Sequence, residues 1–213
     1  MRPERQPPCR YNMIHGNLIP NLVVLAGPNG AGKSTAASVL LRGTLEVTEF
    51  VNADVIAQGL SAFAPDRMAL TAGRIMLRRL QELARQGVSF AFETTLASRS
   101  FALWIRELVQ TGYRFHLVFL WLPSADFAIQ RVAERVQQGG HSVPETTIRR
   151  RYRAGLHHFF GLYQPLAATW RMYDNSSHTG SRLIAAGQQT TVTQIRDAAI
   201  WQHLTQEYGH DAG

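Results

Sequence analysis

The stretch Gly27-Pro28-Asn29-Gly30-Ala31-Gly32-Lys33-Ser34 is a complete G-x-x-x-x-G-K-S phosphate-binding loop, and Thr35 follows it. In such a loop the glycines permit the backbone dihedrals that turn successive N–H groups inward to hold phosphate oxygens. Lys33 is the only lysine of the chain, and its ammonium reaches the β and γ phosphates, while the hydroxyl of Ser34 coordinates Mg²⁺. The motif therefore predicts binding of a nucleoside triphosphate.

The residues on either side of the loop support this interpretation. Residues 21–26 form a short apolar run that is typical of a buried parallel strand, and residues 33–42 read as a helix ended by Gly43. Strand, loop and helix thus follow in the required order. We predict that ATP is held by Gly27, Pro28, Asn29, Gly30, Ala31, Gly32, Lys33, Ser34 and Thr35, with Ser34 on the metal side.

Composition limits the architecture and the compartment. The chain has 213 residues, is 45% hydrophobic and has one cysteine, which predicts one P-loop kinase domain over residues 17–213 in a reducing compartment, with the cytoplasm as the default. Residues 1–16 read as a basic, loosely structured leader. No stretch approaches the roughly twenty apolar residues of a membrane span, so no membrane association is expected. The net charge of +7 is compatible with phosphorylated ligands or with nucleic acid.

Apolar runs alternate with helical patterns along the rest of the chain, which predicts an α/β fold of the P-loop NTPase class: a nucleotide-kinase-like parallel sheet flanked by helices. The predicted later strands are 46–51, 88–92, 113–122, 171–174 and 181–186. The predicted later helices are 66–86 closed by Gly87, 98–110, 124–138 capped by Ser124, 145–168 with irregularities at Gly155, Gly161 and Pro165, and 192–208.

Two acidic residues distinguish a kinase from an ATP-driven motor. The run 115–122 ends in Trp-Leu-Pro and lacks the acidic residue that a motor places there for its metal. Asp54 and Glu93 instead follow the apolar runs that end near residues 53 and 92. The carboxyl ends of parallel strands face the ligand crevice, so both carboxylates should approach the γ-phosphate. We interpret Asp54 as the base for a hydroxyl acceptor and Glu93 as a contact to the acceptor or to a metal-bound water. Helix capping is the structural alternative for both.

Arginines cluster around a helix break at residues 139–144. Arg131 and Arg135 lie one helical turn apart before the break, and the run 149–151 follows it. This pattern predicts a helical, arginine-bearing lid over about residues 131–153 that supplies cations to the phosphates. Neighbouring arginines on a helix point in different directions, so the run cannot all face one ligand. His141, within the break, is predicted to be a solvated loop residue, and contact with phosphate at the break is the alternative.

At these residues the chain resembles the zeta-toxin family of small P-loop kinases. The matching pieces are 27–35, 50–54, 92–96, 131–144, 148–152 and 173–176. The resemblance implies an ATP-dependent kinase acting on the 3′-hydroxyl of UDP-N-acetylglucosamine and silenced by a small antitoxin. It also implies that Lys33 binds phosphate, Asp54 is the catalytic base, Glu93 and Thr95 contact the sugar nucleotide, and Arg131 or Arg135 is the lid arginine. The lid break of this chain is shorter and richer in glycine than that of the founding toxins.

Three alternatives stay open at the level of sequence. In the first, the chain is a small-molecule kinase whose acceptor is an antibiotic, a nucleoside or a cofactor instead of a nucleotide sugar. A nucleic-acid-associated ATPase or polynucleotide kinase uses the arginines of residues 149–153 to grip phosphates, with binding that depends steeply on salt. A nucleotide sensor binds ATP tightly and transfers nothing.

Overall fold

The computed structural model describes residues 13–14, 17–37, 47–61, 64–177 and 180–209. Met13–Ile14 (β1) and Asn17–Leu18 (β2) pair as a two-stranded antiparallel ribbon. Most of the predicted basic leader lies outside the described residues. So does the predicted end of the first helix at Gly43, since residues 38–46 are not described.

A seven-stranded sheet forms the centre of the fold. Its strands are Asn21–Ala26 (β3), Glu49–Val51 (β4), Phe90–Thr94 (β5), Arg114–Trp121 (β6), Thr169–Asp174 (β7), Arg182–Gln188 (β8) and Thr191–Ile195 (β9). Their order across the sheet is β4-β5-β3-β6-β7-β8-β9. The first five of these are parallel, and β8 and β9 are antiparallel to their neighbours. The predicted α/β fold with a mostly parallel sheet is therefore confirmed.

Helices lie between the parallel strands along the chain, and one helix follows β9. The described helices are residues 33–37 (α1), Ala53–Leu60 (α2), Ala69–Gln86 (α3), Ser100–Gln110 (α4), Ala125–Gln137 (α5), Glu145–His158 (α6) and Ala198–Tyr208 (α7). Gly87 closes α3 with φ 65°, and the Ser124 hydroxyl accepts a hydrogen bond from the Phe127 N–H at the start of α5; both caps were predicted.

The position of β3 in the sheet follows from its sequence. Leu22, Val23, Val24 and Leu25 are at most 1% exposed, as expected of a strand covered on both faces. β3 pairs with β5 on one side and with β6 on the other. The phosphate-binding loop therefore leaves the sheet at its centre, next to the carboxyl end of β5.

The prediction of the last helix is wrong for its first residues. Residues 192–208 were expected to be one helix, but Thr191–Ile195 form β9 and pair with β8. The β-branched residues of this stretch favour a strand, and Gln189, at φ 48°, makes the tight turn from β8. The helix starts only after Asp197, whose carboxylate accepts from the Ile200 N–H.

Other element boundaries differ by a few residues. The strand expected at 88–92 is Phe90–Thr94, so Glu93 lies within β5. The helix expected over 145–168 changes after His158 into a π-helical turn, Phe159–Tyr163, and then a 3₁₀ turn, Gln164–Leu166. Among the described residues, no helix is both long enough and apolar enough to span a bilayer.

Candidate phosphoryl-transfer site

The phosphate-binding loop joins β3 to α1, and two of its glycines are required by close contacts. A Cβ on Gly27, which has φ 141°, would lie 2.3 Å from the Leu120 carbonyl oxygen. A Cβ on Gly32, which has φ 75°, would lie 2.9 Å from Nδ2 of Asn175. Both positions need the positive φ that glycine adopts without strain. The loop backbone is therefore packed against the carboxyl ends of β6 and β7.

Lys33 is buried beneath this loop. Its side chain is part of a residue only 8% exposed, and Nζ donates a hydrogen bond of 2.9 Å to the Pro28 carbonyl oxygen. Burial lowers the pKa of Lys33, and the nearby carboxylates of Glu93 and Asp54 oppose that shift. A bound polyanion would favour the charged ammonium further.

Ser34 connects the loop to two neighbouring elements. Its Oγ donates to Oε2 of Glu93 at 2.9 Å and accepts from Nδ2 of Asn52 at 3.2 Å. Burial raises the pKa of Glu93, while the ammonium of Lys33 and the hydrogen bond from Ser34 oppose the shift. The Ser34 hydroxyl is thus oriented by one donor and one acceptor.

Asp54 is held at the start of α2. Asn52 is the N-cap of this helix, and its Oδ1 accepts from the backbone N–H groups of Asp54 at 2.7 Å and Val55 at 3.3 Å. The predicted capping alternative for Asp54 therefore does not hold, because Asn52 is the cap and leaves the carboxylate of Asp54 directed elsewhere.

A pocket of about 650 Å³ brings these groups together. Its polar lining includes Lys33, Ser34, Asp54, Glu93 and Thr95. Apolar side chains line it as well, namely those of Ala57, Ala69, Met76 and Phe101. The two carboxylates approach the loop from the ends of adjacent strands, as the sequence predicted.

The predicted lid consists of the end of α5, a turn and most of α6. Arg131 donates through Nη2 to the Ser176 carbonyl oxygen at 2.7 Å and lies 5.2 Å from the ring centre of Phe127. Arg135 donates through Nη2 to the His141 carbonyl oxygen at 2.8 Å. Both arginines line the pocket. Within the described part of the chain, Nε of Arg135 is buried and has no hydrogen-bond partner.

The arginines of the run after the break face different surroundings, as their helical spacing predicted. Arg151 lines the pocket, and burial together with the charge of Arg150 lowers its pKa while Asp54 opposes the shift. Arg149 instead forms an ion pair with Asp126 in an exposed position. The run is therefore not one continuous basic surface.

Three residues beyond the predicted site residues line the pocket or contact its phosphate-binding loop. His141 was expected to be solvated, but it lines the pocket and its side chain is 25% exposed. Asn175 donates through Nδ2 to the Ala31 carbonyl oxygen at 2.7 Å and accepts from the Ser181 hydroxyl. Asn52 had a local signal, because asparagine before an apolar helix is a common N-cap. The other two are placed by tertiary contacts alone.

Oxygen donors of a kind that binds divalent cations lie near the phosphate-binding loop. In the described ranges, no group of three or more histidine, cysteine, aspartate or glutamate side chains is arranged to hold a metal ion. The hydroxyl of Ser34, flanked by the Glu93 carboxylate, is a hard oxygen donor of the type that Mg²⁺ prefers.

Comparison with known proteins identifies the family. The family of AAA domains matches residues 22–155, which is more than half of the chain, and the chain belongs to this family. An uncharacterized protein of Haemophilus influenzae is 25% identical over 130 residues, covering 61% of this chain and 91% of that protein.

Two solved structures show a similar fold. The AvrRxo1-ORF1:-ORF2 complex with ATP has 16% sequence identity and a TM-score of 0.68, covering 87% of this chain and 63% of that chain. The PezAT chromosomal toxin-antitoxin system of Streptococcus pneumoniae has 14% identity and a TM-score of 0.58, covering 90% of this chain and 79% of that chain. The chain thus spans less than two thirds of the AvrRxo1 chain. The fold is that of a kinase-like P-loop NTPase.

Proposed function

We propose that this P-loop protein is an ATP-dependent small-molecule kinase that transfers the γ-phosphoryl group to a hydroxyl acceptor. The observation that supports this proposal most strongly is the shared pocket of Lys33, Asp54 and Glu93. It places a phosphate-binding loop beside two carboxylates, one of which is partly exposed: the side chain of Asp54 is 47% exposed.

The donor side of the pocket has the features that a triphosphate requires. The loop backbone and Lys33 would hold the phosphates, as in other loops of this sequence. The buried Nε of Arg135 needs an acceptor, and a phosphate oxygen is one. Ser34 would bind the Mg²⁺ carried with ATP, which supplies neutralisation of the phosphate charge. The contact of Glu93 with Ser34 favours a metal-side role for Glu93 over direct contact with the acceptor.

The acceptor side depends on Asp54. The acceptor oxygen forms a bond to the γ-phosphorus as the bond from that phosphorus to the β,γ-bridging oxygen breaks, and ADP leaves. The proton of the acceptor hydroxyl passes to the carboxylate of Asp54. Arg131, Arg135 and Arg151 stabilise negative charge that spreads over the transferring group.

For the acceptor we favour UDP-N-acetylglucosamine or a related nucleotide sugar, with Thr95 and the apolar side chains of the pocket contacting the sugar. The support is the resemblance to zeta toxins together with the similarity in fold to the PezAT system. By the same comparison we propose an antitoxin-like protein as a partner. Another small-molecule alcohol, such as an antibiotic or a nucleoside, is the alternative acceptor.

The test is a screen of acceptors with purified protein, ATP and Mg²⁺. Each acceptor is incubated with wild-type protein and with the Lys33→Ala variant, and ADP and the mass of the acceptor are measured. We expect wild-type protein to add one phosphoryl group to a nucleotide sugar and the variant to add none. Tight ATP binding without transfer to any alcohol would contradict the proposal and indicate a nucleotide sensor.

A further inference from the structure

His141 lies opposite Asp54 across the pocket. It belongs to the connection between α5 and α6, whereas Asp54 lies in the first turn of α2. Nδ1 of His141 is 4.0 Å from Oδ1 of Asp54. This distance is within ion-pair range but about 1 Å longer than a hydrogen bond. Catalytic hydrogen bonds are often long before the substrate is bound.

The backbone around His141 is fixed by Arg135. Its guanidinium donates to the His141 carbonyl oxygen at 2.8 Å, and its own carbonyl oxygen accepts from the Gly140 N–H at 2.9 Å. A Cβ on Gly140 would lie 2.6 Å from Cγ of Arg135, so this wrapping of the turn around the arginine requires glycine. The imidazole is therefore presented from a well-defined backbone.

The connection joins the two sides of the proposed reaction. Arg135 is on the donor side, where its unpaired Nε lies, and Asp54 is on the acceptor side. The backbone of His141 is bonded to Arg135, and the side chain of His141 lies beside Asp54. The other charged side chains that line the same pocket are those of Lys33, Glu93, Arg131, Glu134 and Arg151.

We propose that His141 is a positioning residue for Asp54. The imidazole donates from Nδ1–H to Oδ1 of the carboxylate and leaves Oδ2 turned toward the acceptor hydroxyl. Because in-line transfer depends on the orientation of the base, losing this contact slows the chemical step more than it weakens binding. This inference rests on the proposed kinase function.

Kinetics of two substitutions at this position test the inference. We expect His141→Ala to lower kcat by about tenfold or more with the affinity for ATP within about twofold of wild type. His141→Asn should restore most of the rate, since the asparagine amide supplies an N–H donor near the place of Nδ1. His203→Ala is the matched control, because His203 pairs with Glu207 in an exposed position on α7.

Two kinetic outcomes would overturn the inference. If His141→Asn is as slow as His141→Ala, a hydrogen bond from this position does not matter. If His141→Ala weakens ATP binding as much as it lowers the rate, the residue contacts the nucleotide instead of positioning the base.

A spectroscopic measurement separates this inference from the kinase proposal. In protein labelled with ¹⁵N-histidine, the imidazole nitrogen signals of His141 should shift in Asp54→Asn and stay in place in the Asp126→Asn control. This readout needs no turnover. Unchanged signals would overturn the His141 contact even in an active kinase, whereas shifted signals without acceptor-dependent turnover would leave the contact and remove the kinase function.

Discussion

Substitution by alanine should change the stability of the fold in opposite directions at two helical glycines. Gly155 in α6 is buried against the loop after β5, and a Cβ there would lie 2.5 Å from the Thr95 carbonyl oxygen. Among the described residues, no heavy atom beyond the chain neighbours of Gly73 and the nearby backbone of α3 lies within 4 Å of the position that a Cβ on Gly73 would take. Alanine at each position changes the helix propensity alike, so the difference between the variants reports the packing of α6 on the site.

The magnitudes follow from these distances. Gly73→Ala should stabilise the fold by about 0.5–1 kcal/mol through helix propensity and reduced entropy of the unfolded chain. Gly155→Ala gains the same term but forces about 1 Å of displacement against a backbone oxygen, which puts it in the upper part of the overpacking range, about 2–3 kcal/mol. The net loss is therefore about 1–2.5 kcal/mol, or about 2–10 °C in Tm for a domain of this size.

Urea and thermal denaturation of the two variants provide the assay. We expect Gly73→Ala to unfold at higher urea concentration than wild type and Gly155→Ala at lower, with equal dependence on urea. If Gly155→Ala is as stable as Gly73→Ala, α6 does not pack on the Thr95 backbone as described. The placement of the lid arginines over the pocket would then lose its support.

Three further predictions concern the edges of the site. Burial raises the pKa of Asp174, but hydrogen bonds from Ser176 and Arg182 outweigh it and hold that pKa below its ordinary value. The ionised Asp174 carboxylate therefore stabilises the fold above about pH 4, and this stabilisation is lost as pH falls through the lowered pKa. Urea titrations between about pH 5 and about pH 3 should show the loss for wild type and not for Asp174→Asn. Asn175→Ala removes a brace of the phosphate-binding loop and should weaken ATP binding by about five- to tenfold in calorimetry, as expected for one hydrogen bond of about 1 kcal/mol. Arg151→Gln should reduce the transfer rate by about tenfold or more, while Arg149→Gln, whose arginine pairs with a surface aspartate, should stay within about twofold in the same assay.

Local sequence patterns predicted the parts of the site that lie within one segment. The phosphate-binding loop is recognisable because its glycines, lysine and serine act through one continuous stretch of backbone. Asp54 and Glu93 were predictable because a parallel sheet brings the ends of successive strands to one edge. The helical spacing of the arginine run also predicted that only some of its members face the ligand, and Arg151 is the one that does.

Tertiary contacts determine the remaining parts. Asn175 bonds to Ala31 of the loop, and the two residues are 144 positions apart in the chain. No local sequence pattern predicts such a contact. His141 lies in a glycine-rich break that suggests solvent exposure, and only the packing of the turn around Arg135 brings it into the pocket. For β9, strand propensity competed with the helical pattern of the following residues, and pairing with β8 decided the outcome.

In the proposed mechanism, Asp54 accepts a proton from an alcohol that attacks bound ATP. The most direct test of this step is the yield of phosphorylated acceptor per ADP released, measured for wild type, Asp54→Asn and the surface control Asp126→Asn at saturating ATP. We expect equal amounts of both products from wild type and control, and a rate at least about a hundredfold lower for Asp54→Asn with ATP affinity within about threefold. ADP released without a phosphorylated acceptor, or an Asp54→Asn rate close to that of wild type, would contradict the claim.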